Sequence, residues 1–300
     1  MQVFFEGRVE AAEIDNLGHM NVRVYARKAA QATFALGAAM GLTPARLAKE
    51  RAVLQIEDAH TRFYREQLEG AALAVRGGVR LVQGDQVALY LEMINQATGD
   101  IAATFNNGFA LFDGASRARR RLPGDVLDAA AGLRVDWPER GRPRSLPLDP
   151  VAPRDRQDVG AEGAFVRFPT YTVEAGECDA YRYMDLSDAK AIALARMPIK
   201  IERQHRAFRA DHRVAIATLE SRQTLFATPR LGDTVISETR HVAVTRKSVV
   251  FEHWSFEEAT GTPFSLLQQF GLAFDLDARR ATEFPDDMRE ALAANKRPEL

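Results

Sequence analysis

The sequence has 300 residues, enough chain for two medium-sized domains, and 46% of them are hydrophobic, as in ordinary globular proteins. Its 40 basic and 41 acidic residues nearly cancel, which excludes an overall field that would recruit nucleic acid or an anionic membrane. The single cysteine, Cys178, cannot form an intramolecular disulfide, and the short apolar stretch at the amino terminus is not a signal-peptide core. These features predict a cytoplasmic protein without a nucleic-acid or membrane partner.

The first 113 positions predict a strand, a long helix and an antiparallel set of strands. Residues 2–12 predict the first strand. Residues 22–41 predict a helix that follows Asn21, a good N-cap residue, and TPARLAKE predicts a short helix after it. Turn signals then separate four predicted strands, VLQIEDAHTRFYRE, ALAVRGGVRLVQ, QVALYLEMIN and DIAATFNNGFALF. This order is typical of an α+β fold rather than of alternating βαβ units.

The chain contains an internal repeat. The segment ATGDIAATFNN, which starts at Ala97, aligns without a gap with ATGTPFSLLQQ at Ala259, a shift of 162 residues. Near the front of each half, VEAAEIDNLGHMN aligns with VEAGECDAYRYMD at a shift of 164 residues. Because the shift changes by only two residues, both halves share one architecture. The second half therefore predicts a helix near residues 185–197 and strands over residues 214–275.

A proline-rich segment separates the two halves. Five of the 13 prolines lie in it: Pro138, Pro143, Pro147, Pro150 and Pro153. Proline fixes an extended backbone and resists a helix or a central strand, so the segment predicts a semi-rigid linker on the surface. The predicted organisation is a first domain over residues 1–130, a linker over residues 131–164 and a second domain over residues 165–300.

The candidate chemistry lies in the loop DNLGHMN, which runs from Asp15 to Asn21 into the predicted long helix. The sequence lacks a GxSxG elbow, a Walker loop and a GxGxxG motif, and its histidines show no metal-ligand spacing, so no metal or cofactor is predicted. Hydrolysis at a carbonyl carbon can use a carboxylate to activate water and needs donors for the oxyanion, and the N–H groups of a helix's first turn can be those donors. Asp15 is the candidate carboxylate. The structural alternative is that Asp15 and Asn21 only cap turns and that His19 packs in the loop.

The segments DNLGHMNVRVYARKAA, DAHTRFYREQLEG and LEMINQATGDIAAT together resemble the hot-dog thioesterase superfamily. They are similar to bacterial acyl-CoA thioesterases with a DxxGHMNVxxY motif and an HxRFxRExxxG strand. VEAGECDAYRYM in the second half resembles a segment of double hot-dog relatives. The resemblance covers nearly the whole chain apart from the linker. It implies two tandem hot-dog domains, each a long buried helix wrapped by an antiparallel sheet, that form a pseudo-dimer.

The same resemblance implies a set of site residues. Asp15 matches the family's acidic residue, which acts as base or nucleophile. His19 and Asn21 match residues that orient substrate or water. Tyr25 matches a tyrosine in the first turn of the helix, where backbone N–H groups polarise the thioester carbonyl. Two polar positions of the following strand, which would approach the site from its other wall, are matched by Asp58 and His60.

The second half departs from this pattern. Asp179 keeps the acidic position, but Tyr183, Asp185 and Ala189 stand where the first half has the histidine, asparagine and tyrosine. Two interpretations stay open, an altered or inactive second site and a second site with a different substrate preference.

The sequence thus predicts a double hot-dog enzyme that hydrolyses an acyl thioester, carried by coenzyme A or by an acyl carrier protein. A homo-oligomer of double hot-dog units is compatible with this prediction. One alternative is a hot-dog acyl-CoA hydratase or dehydratase, which needs a YxxSGDxNPxH-like loop that the sequence lacks. The other alternative is a non-catalytic acyl-CoA-binding protein. The presence of Asp15 in the intact DNLGHMN loop favours an enzyme over this alternative.

Overall fold

The structure is a computed structural model in which the chain divides into two compact units. The first unit is formed mainly by residues 1–144, and the second by residues 145–184 with the residues that follow position 188. In the described part of the chain, no helix is both long enough and apolar enough to cross a membrane. The described residues are 1–15, 17–163, 166–167, 169–185 and 209–294.

The first unit combines one long helix with an antiparallel sheet, in the order that the sequence predicts. Its elements are β1 (Gln2–Arg8), α1 (Val22–Ala39), α2 (Pro44–Glu50), β2 (Ala52–Phe63), β3 (Ala72–Gln83), β4 (Gln86–Asn95), β5 (Ile101–Asp113), β6 (Arg119–Arg120) and α3 (Gly124–Gly132). The longer strands are paired in the order β1-β3-β4-β5-β2. β1 is shorter than the predicted strand over residues 2–12, because a 3-10 turn with a capping box between Glu10 and Glu13 ends the extended chain.

Small side chains allow α1 to lie close to the sheet. Ala29 and Ala32 are completely buried, and a Cβ atom on Gly37 would lie 2.8 Å from the Leu54 side chain of β2. The apolar core fills the space between α1 and the facing side of the sheet, where burial of each large side chain contributes about 1.5–3 kcal/mol. The strand residues of this core include Leu73, Val75, Leu89, Leu91, Met93, Phe105 and Phe109.

The other side of the first sheet is covered by part of the proline-rich segment. The Nη1 atom of Arg62 donates hydrogen bonds to the carbonyl oxygens of Arg140 (3.1 Å) and Arg142 (2.8 Å). The ring of Tyr90 lies against Gly141, where a Cβ atom would be only 2.3 Å from the ring. Since no other residue fits in that space, this stretch of the chain is bound to the sheet at a specific register.

The second unit repeats the sheet. Its elements are α4 (Arg156–Gly160), β7 (Val166–Arg167), β8 (Tyr171–Thr172), β9 (Val214–Leu225), β10 (Thr234–Val244), β11 (Ser248–Glu257), β12 (Pro263–Asp275), β13 (Arg280–Ala281) and α5 (Asp286–Ala293). The long strands are paired in the order β9-β12-β11-β10. β2 is bulged between Ile56 and Asp58, and β9 is bulged 162 positions later, between Thr218 and Glu220. The helix predicted near residues 185–197 lies, apart from its first position, outside the described residues.

The two sheets differ on the side that contacts α1 in the first unit. Three neighbouring core residues of the first sheet lie side by side on β3, β4 and β5, namely Val75, Met93 and Ala103. At the equivalent positions of β10, β11 and β12 the second sheet has Ser237, Ser255 and Ser265, which are also buried and adjacent. The hydroxyl groups of Ser237 and Ser255 are 2.9 Å apart. A hydrogen bond between Ser237 and Ser255 therefore replaces apolar packing there, whereas the hydroxyl group of Ser265 is buried without a hydrogen-bond partner among the described residues.

A buried histidine continues this polar side. His253 occupies the position of Leu91, and its Nδ1 atom lies 2.6 Å from the hydroxyl oxygen of Thr239. Its Nε2 atom lies 3.2 Å from Oε1 of Gln269, which fits a neutral ring that carries its proton on Nε2. Burial lowers the pKa of His253 to about 4, against the opposing effect of the Gln269 hydrogen bond, and the nearby His241 lowers this pKa further. His253 is therefore uncharged at neutral pH.

Candidate active site

A tight loop brings Asp15 and His19 together ahead of α1. The N–H group of Asp15 donates to the carbonyl oxygen of His19 (2.9 Å), and the N–H group of Gly18 donates to the carbonyl oxygen of Asp15 (3.1 Å). Gly18 has a φ angle of +84°, a conformation that favours glycine. The side chain of Asp15 stabilises the turn as well, because its Oδ1 atom accepts a hydrogen bond from the N–H group of Leu17 at 2.8 Å.

The imidazole of His19 lies between two carboxylates. Its Nδ1 atom is 3.3 Å from Oδ2 of Asp15, and its Nε2 atom is 3.5 Å from Oε1 of Glu66, which follows β2. Each ring nitrogen thus faces an acceptor, and both contacts are slightly longer than a standard hydrogen bond. Asp15 and His19 are mostly buried, whereas Glu66 is exposed. This arrangement can orient the ring and hold or transfer a proton between Asp15 and the solvent side.

Asn21 caps α1, as its position in the sequence predicts. Its Oδ1 atom accepts a hydrogen bond from the N–H group of Arg23 (3.0 Å), and its carbonyl oxygen accepts one from Val24 (2.8 Å). Two N–H groups of the first turn are therefore already hydrogen-bonded in this structure. Fewer N–H groups are left to bind an oxyanion than an uncapped helix end would offer. The positive end of the helix dipole still lies beside the Asp15 loop.

Tyr25 connects the first turn of α1 to the end of β2. Its hydroxyl group donates to the carbonyl oxygen of Arg65 at 3.0 Å, and its ring packs edge-on against Phe63. Burial raises the pKa of Tyr25 well above its usual value, and the negative charge of Asp15 raises it further. Tyr25 is therefore a neutral donor that fixes the backbone beside Glu66.

Asp58 and His60 are not grouped with these residues in the first unit. Neighbouring residues of a strand face opposite sides, and Ala59 packs on the α1 side of the sheet, so Asp58 and His60 face the other side. His60 is buried there, with its Nδ1 atom 3.2 Å from the amide nitrogen of Asn106. Asp58 attracts Arg80 on the same side. The structure thus brings Asp15, His19 and Tyr25 together and holds this pair apart from them.

Glu66 is the residue of this cluster that the sequence analysis did not select. It lies within the RFYRE part of the motif that carries the family resemblance, three residues after β2 ends. The feature of the sequence that could have identified Glu66 is a charged residue shortly after the end of a strand, within the family motif. Its contact with His19 depends on the hydrogen bond between the N–H group of Met20 and the carbonyl oxygen of Gln67, which no sequence pattern indicates.

The second unit keeps the loop but changes its side chains. The N–H group of Asp179 donates to the carbonyl oxygen of Tyr183 at 2.7 Å, as in the first loop, and Arg182 takes the positive φ of Gly18. The hydroxyl group of Tyr183 bonds to Arg230, whose guanidinium group also covers the tyrosine ring. At the loop position where the first unit has His19, the second unit therefore has a tyrosine beside the carboxylate.

The described residues contain no group of three or more His, Cys, Asp or Glu side chains that could hold a metal ion.

Comparison with known proteins agrees with this architecture. The 12:0-ACP thioesterase from Umbellularia californica is similar in structure, with 11% identity, coverage of 90% of this chain and 94% of that chain, and a TM-score of 0.69. An acyl-ACP thioesterase from Bacteroides thetaiotaomicron has 12% identity, coverage of 89% and 96%, and a TM-score of 0.62. No protein of curated function matches the chain.

These likenesses confirm the predicted fold, two tandem hot-dog domains. The sequence itself matches the model of the thioesterase-like superfamily twice, over residues 9–130 and 173–292, one match in each half. Since the two matches together span well over half of the 300 residues, the chain belongs to the thioesterase-like superfamily.

Proposed function

We propose that this protein hydrolyses an acyl thioester, carried by coenzyme A or by an acyl carrier protein, at the Asp15 loop of the first unit. Membership of the thioesterase-like superfamily supports thioester hydrolysis in general. The observation that carries the assignment to this loop is the contact between Asp15 Oδ2 and His19 Nδ1 beside the start of α1. The similar structures named above act on acyl-ACP substrates, and the family resemblance of the motif extends to acyl-CoA enzymes.

In the proposed reaction Asp15 acts as the general base. One of its oxygens accepts the Leu17 N–H group and the other faces His19, so that both oxygens of the carboxylate are held in place. Water attacks the thioester carbonyl carbon as Asp15 takes its proton. The tetrahedral oxyanion forms near the positive end of α1, the C–S bond then breaks, and the departing thiolate receives the proton. His19 and Glu66 keep the Asp15 carboxylate oriented and carry protons to solvent.

The proposed function is tested by following thiol release from short, branched, aromatic and long acyl groups on coenzyme A and on an acyl carrier protein. We expect turnover of at least one class by the full chain and a reduction of about a thousandfold or more in Asp15→Asn. Loss of the double bond of an enoyl-CoA without thiol release would support a hydratase instead. Thiol release that is equal in the wild type and the variant would contradict the site.

Glu66→Gln is expected to lower kcat about 10- to 100-fold and to leave KM nearly unchanged, because it removes the negative charge that faces His19 Nε2 without removing a substrate contact. Glu69→Gln, an exposed change three residues along the same segment, serves as the control and should have no effect. The pH profile of kcat separates the roles, since a purely structural Glu66 would lower activity equally at every pH.

A further inference from the structure

The outer side of the first sheet carries a cluster of exposed cations beside the end of β2. We call this surface the arginine face, and its members are Arg62, Tyr64, Arg76, Arg140 and Arg142. The side chains of Arg76, Arg140 and Arg142 are 40%, 49% and 55% exposed. Tyr64 is an exposed aromatic residue under the guanidinium group of Arg62, and its hydroxyl group bonds to the carbonyl oxygen of Arg140. Hydrogen bonds and ring contacts thus connect Arg62, Tyr64, Arg140 and Arg142, and Arg76 is linked to Arg140 through the carboxylate of Glu92, which both bind.

The arginine face has more positive than negative charge. Arg76 (2.9 Å) and Arg140 (2.7 Å) share the single buried carboxylate of Glu92. Arg142 lies 3.5 Å from the exposed carboxylate of Glu139. Arg62 donates to backbone carbonyl oxygens, which do not neutralise its charge. Four guanidinium groups against two carboxylates leave an excess of two positive charges on this surface, although the whole chain has a net charge of −1.

The spacing of these charges indicates what kind of partner they fit. Arg62 lies on β2 and Arg76 on β3, and β5 and β4 lie between these strands, so the backbone positions of these two arginines are about 14 Å apart, three strand spacings. Arginines carried on separate strands around an exposed tyrosine match acidic side chains on a protein surface better than one compact phosphate group. Tyr64 also precedes Glu66 by only two residues, so a partner bound here would lie close along the chain to the candidate site.

We propose that the arginine face docks an acidic acyl carrier protein, the carrier that presents the thioester. The inference rests on the proposed function, because it assigns the carrier of the substrate that the Asp15 loop cleaves. The excess of positive charge steers an acidic carrier toward the first unit and contributes to association mainly through the rate of encounter, which makes the effect sensitive to salt.

Charge variants with opposite expected effects test this docking. Arg142→Glu should lower kcat/KM for an acyl carrier protein thioester about tenfold at low salt, and Glu139→Lys should raise it severalfold. Both effects should disappear at high salt. The N-acetylcysteamine thioester of the same acyl group has no charge, and its hydrolysis should be equal in both variants and the wild type. The matched control is Arg246→Glu, since Arg246 is an exposed arginine paired with Glu283 in the second unit.

Three results would overturn the docking proposal. Equal changes for the coenzyme A thioester would show that the arginine face senses the phosphates of the coenzyme. Carrier kinetics that do not respond to either variant, or a loss of N-acetylcysteamine thioester hydrolysis in Arg142→Glu, would also contradict it. If the wild type cleaves no thioester, the proposed function fails separately. Docking is then decided by calorimetric titration of the full chain with holo acyl carrier protein, for which Arg142→Glu should raise Kd about tenfold.

Discussion

Replacing Asp15 by asparagine is expected to reduce thioester hydrolysis about a thousandfold or more while changing the free energy of unfolding by less than about 0.5 kcal/mol. The amide oxygen of asparagine can still accept the Leu17 N–H group that the Asp15 side chain holds at 2.8 Å, so the turn is kept. The negative charge that faces His19 is lost, and with it the group that accepts a proton from water. Steady-state kinetics and urea unfolding measure the two effects on the same samples.

The duplicated chain provides the control for this experiment. Asp179→Asn changes the equivalent loop of the second unit, where the neighbouring side chain is Tyr183 bound to Arg230, and activity should fall less than about twofold. Equal losses in the two variants would show two working sites. Activity of Asp15→Asn within tenfold of the wild type would remove Asp15 from the mechanism. A single turnover in H₂¹⁸O that labels the protein rather than the product would identify Asp15 as a nucleophile.

Acidification from pH 7 to pH 4 is expected to lower the free energy of unfolding by roughly 3 kcal/mol through His253 alone. Burial lowers the pKa of this side chain from 6.5 to about 4. Between these values the unfolded chain binds a proton that the folded chain does not, so stability increases with pH across that window. The contribution is complete above pH 6.5 and is lost progressively as the pH falls toward 4.

His253→Gln isolates this effect, because glutamine keeps a hydrogen-bonding side chain that does not titrate. Urea unfolding at pH 7, 5.5 and 4 should give a smaller loss of stability in the variant than in the wild type. Some dependence should persist, since burial also lowers the pKa of His241. His212→Gln, which changes an exposed histidine bonded to Asp287, is the control. An unchanged slope in His253→Gln would assign the pH dependence to other groups.

The repeat and the loop motif made much of the fold predictable, because the repeat shows that both halves share one architecture and the loop motif is a local pattern. The Asp15 loop and the cap at Asn21 follow from short-range turn and capping chemistry, and the structure has them as predicted. Glu66 could not be identified from the same local patterns, since its contact with His19 joins residues that are 47 positions apart in the sequence. Alternation along β2 is a local pattern as well, and it indicates that Asp58 and His60 face away from α1 within the first unit.

The segments that pack over the sides of the sheets were harder to predict than the strands of the sheets. Proline content predicts an extended segment between the halves, yet this segment contains a 3-10 turn at Glu139–Gly141 and the helix α4, and nothing in the sequence indicates that Gly141 packs against Tyr90. Such a contact depends on how closely two segments fit at one particular alignment of the chain against the sheet. A single sequence contains no periodic pattern that predicts this alignment. The change from Leu91 to His253 is visible in the aligned repeats, but its burial is decided by the tertiary structure.

The row of three buried serines has a thermodynamic consequence for the two halves. Exposure of apolar surface on unfolding raises the heat capacity by about 0.45 cal/K/mol for each Å², whereas exposure of polar surface lowers it by about 0.26. The first sheet has valine, methionine and alanine where the second has Ser237, Ser255 and Ser265. These three positions should therefore contribute less to the curvature of stability with temperature in the second half than their counterparts contribute in the first, so that this part of the two sheets differs in how it responds to cold and heat.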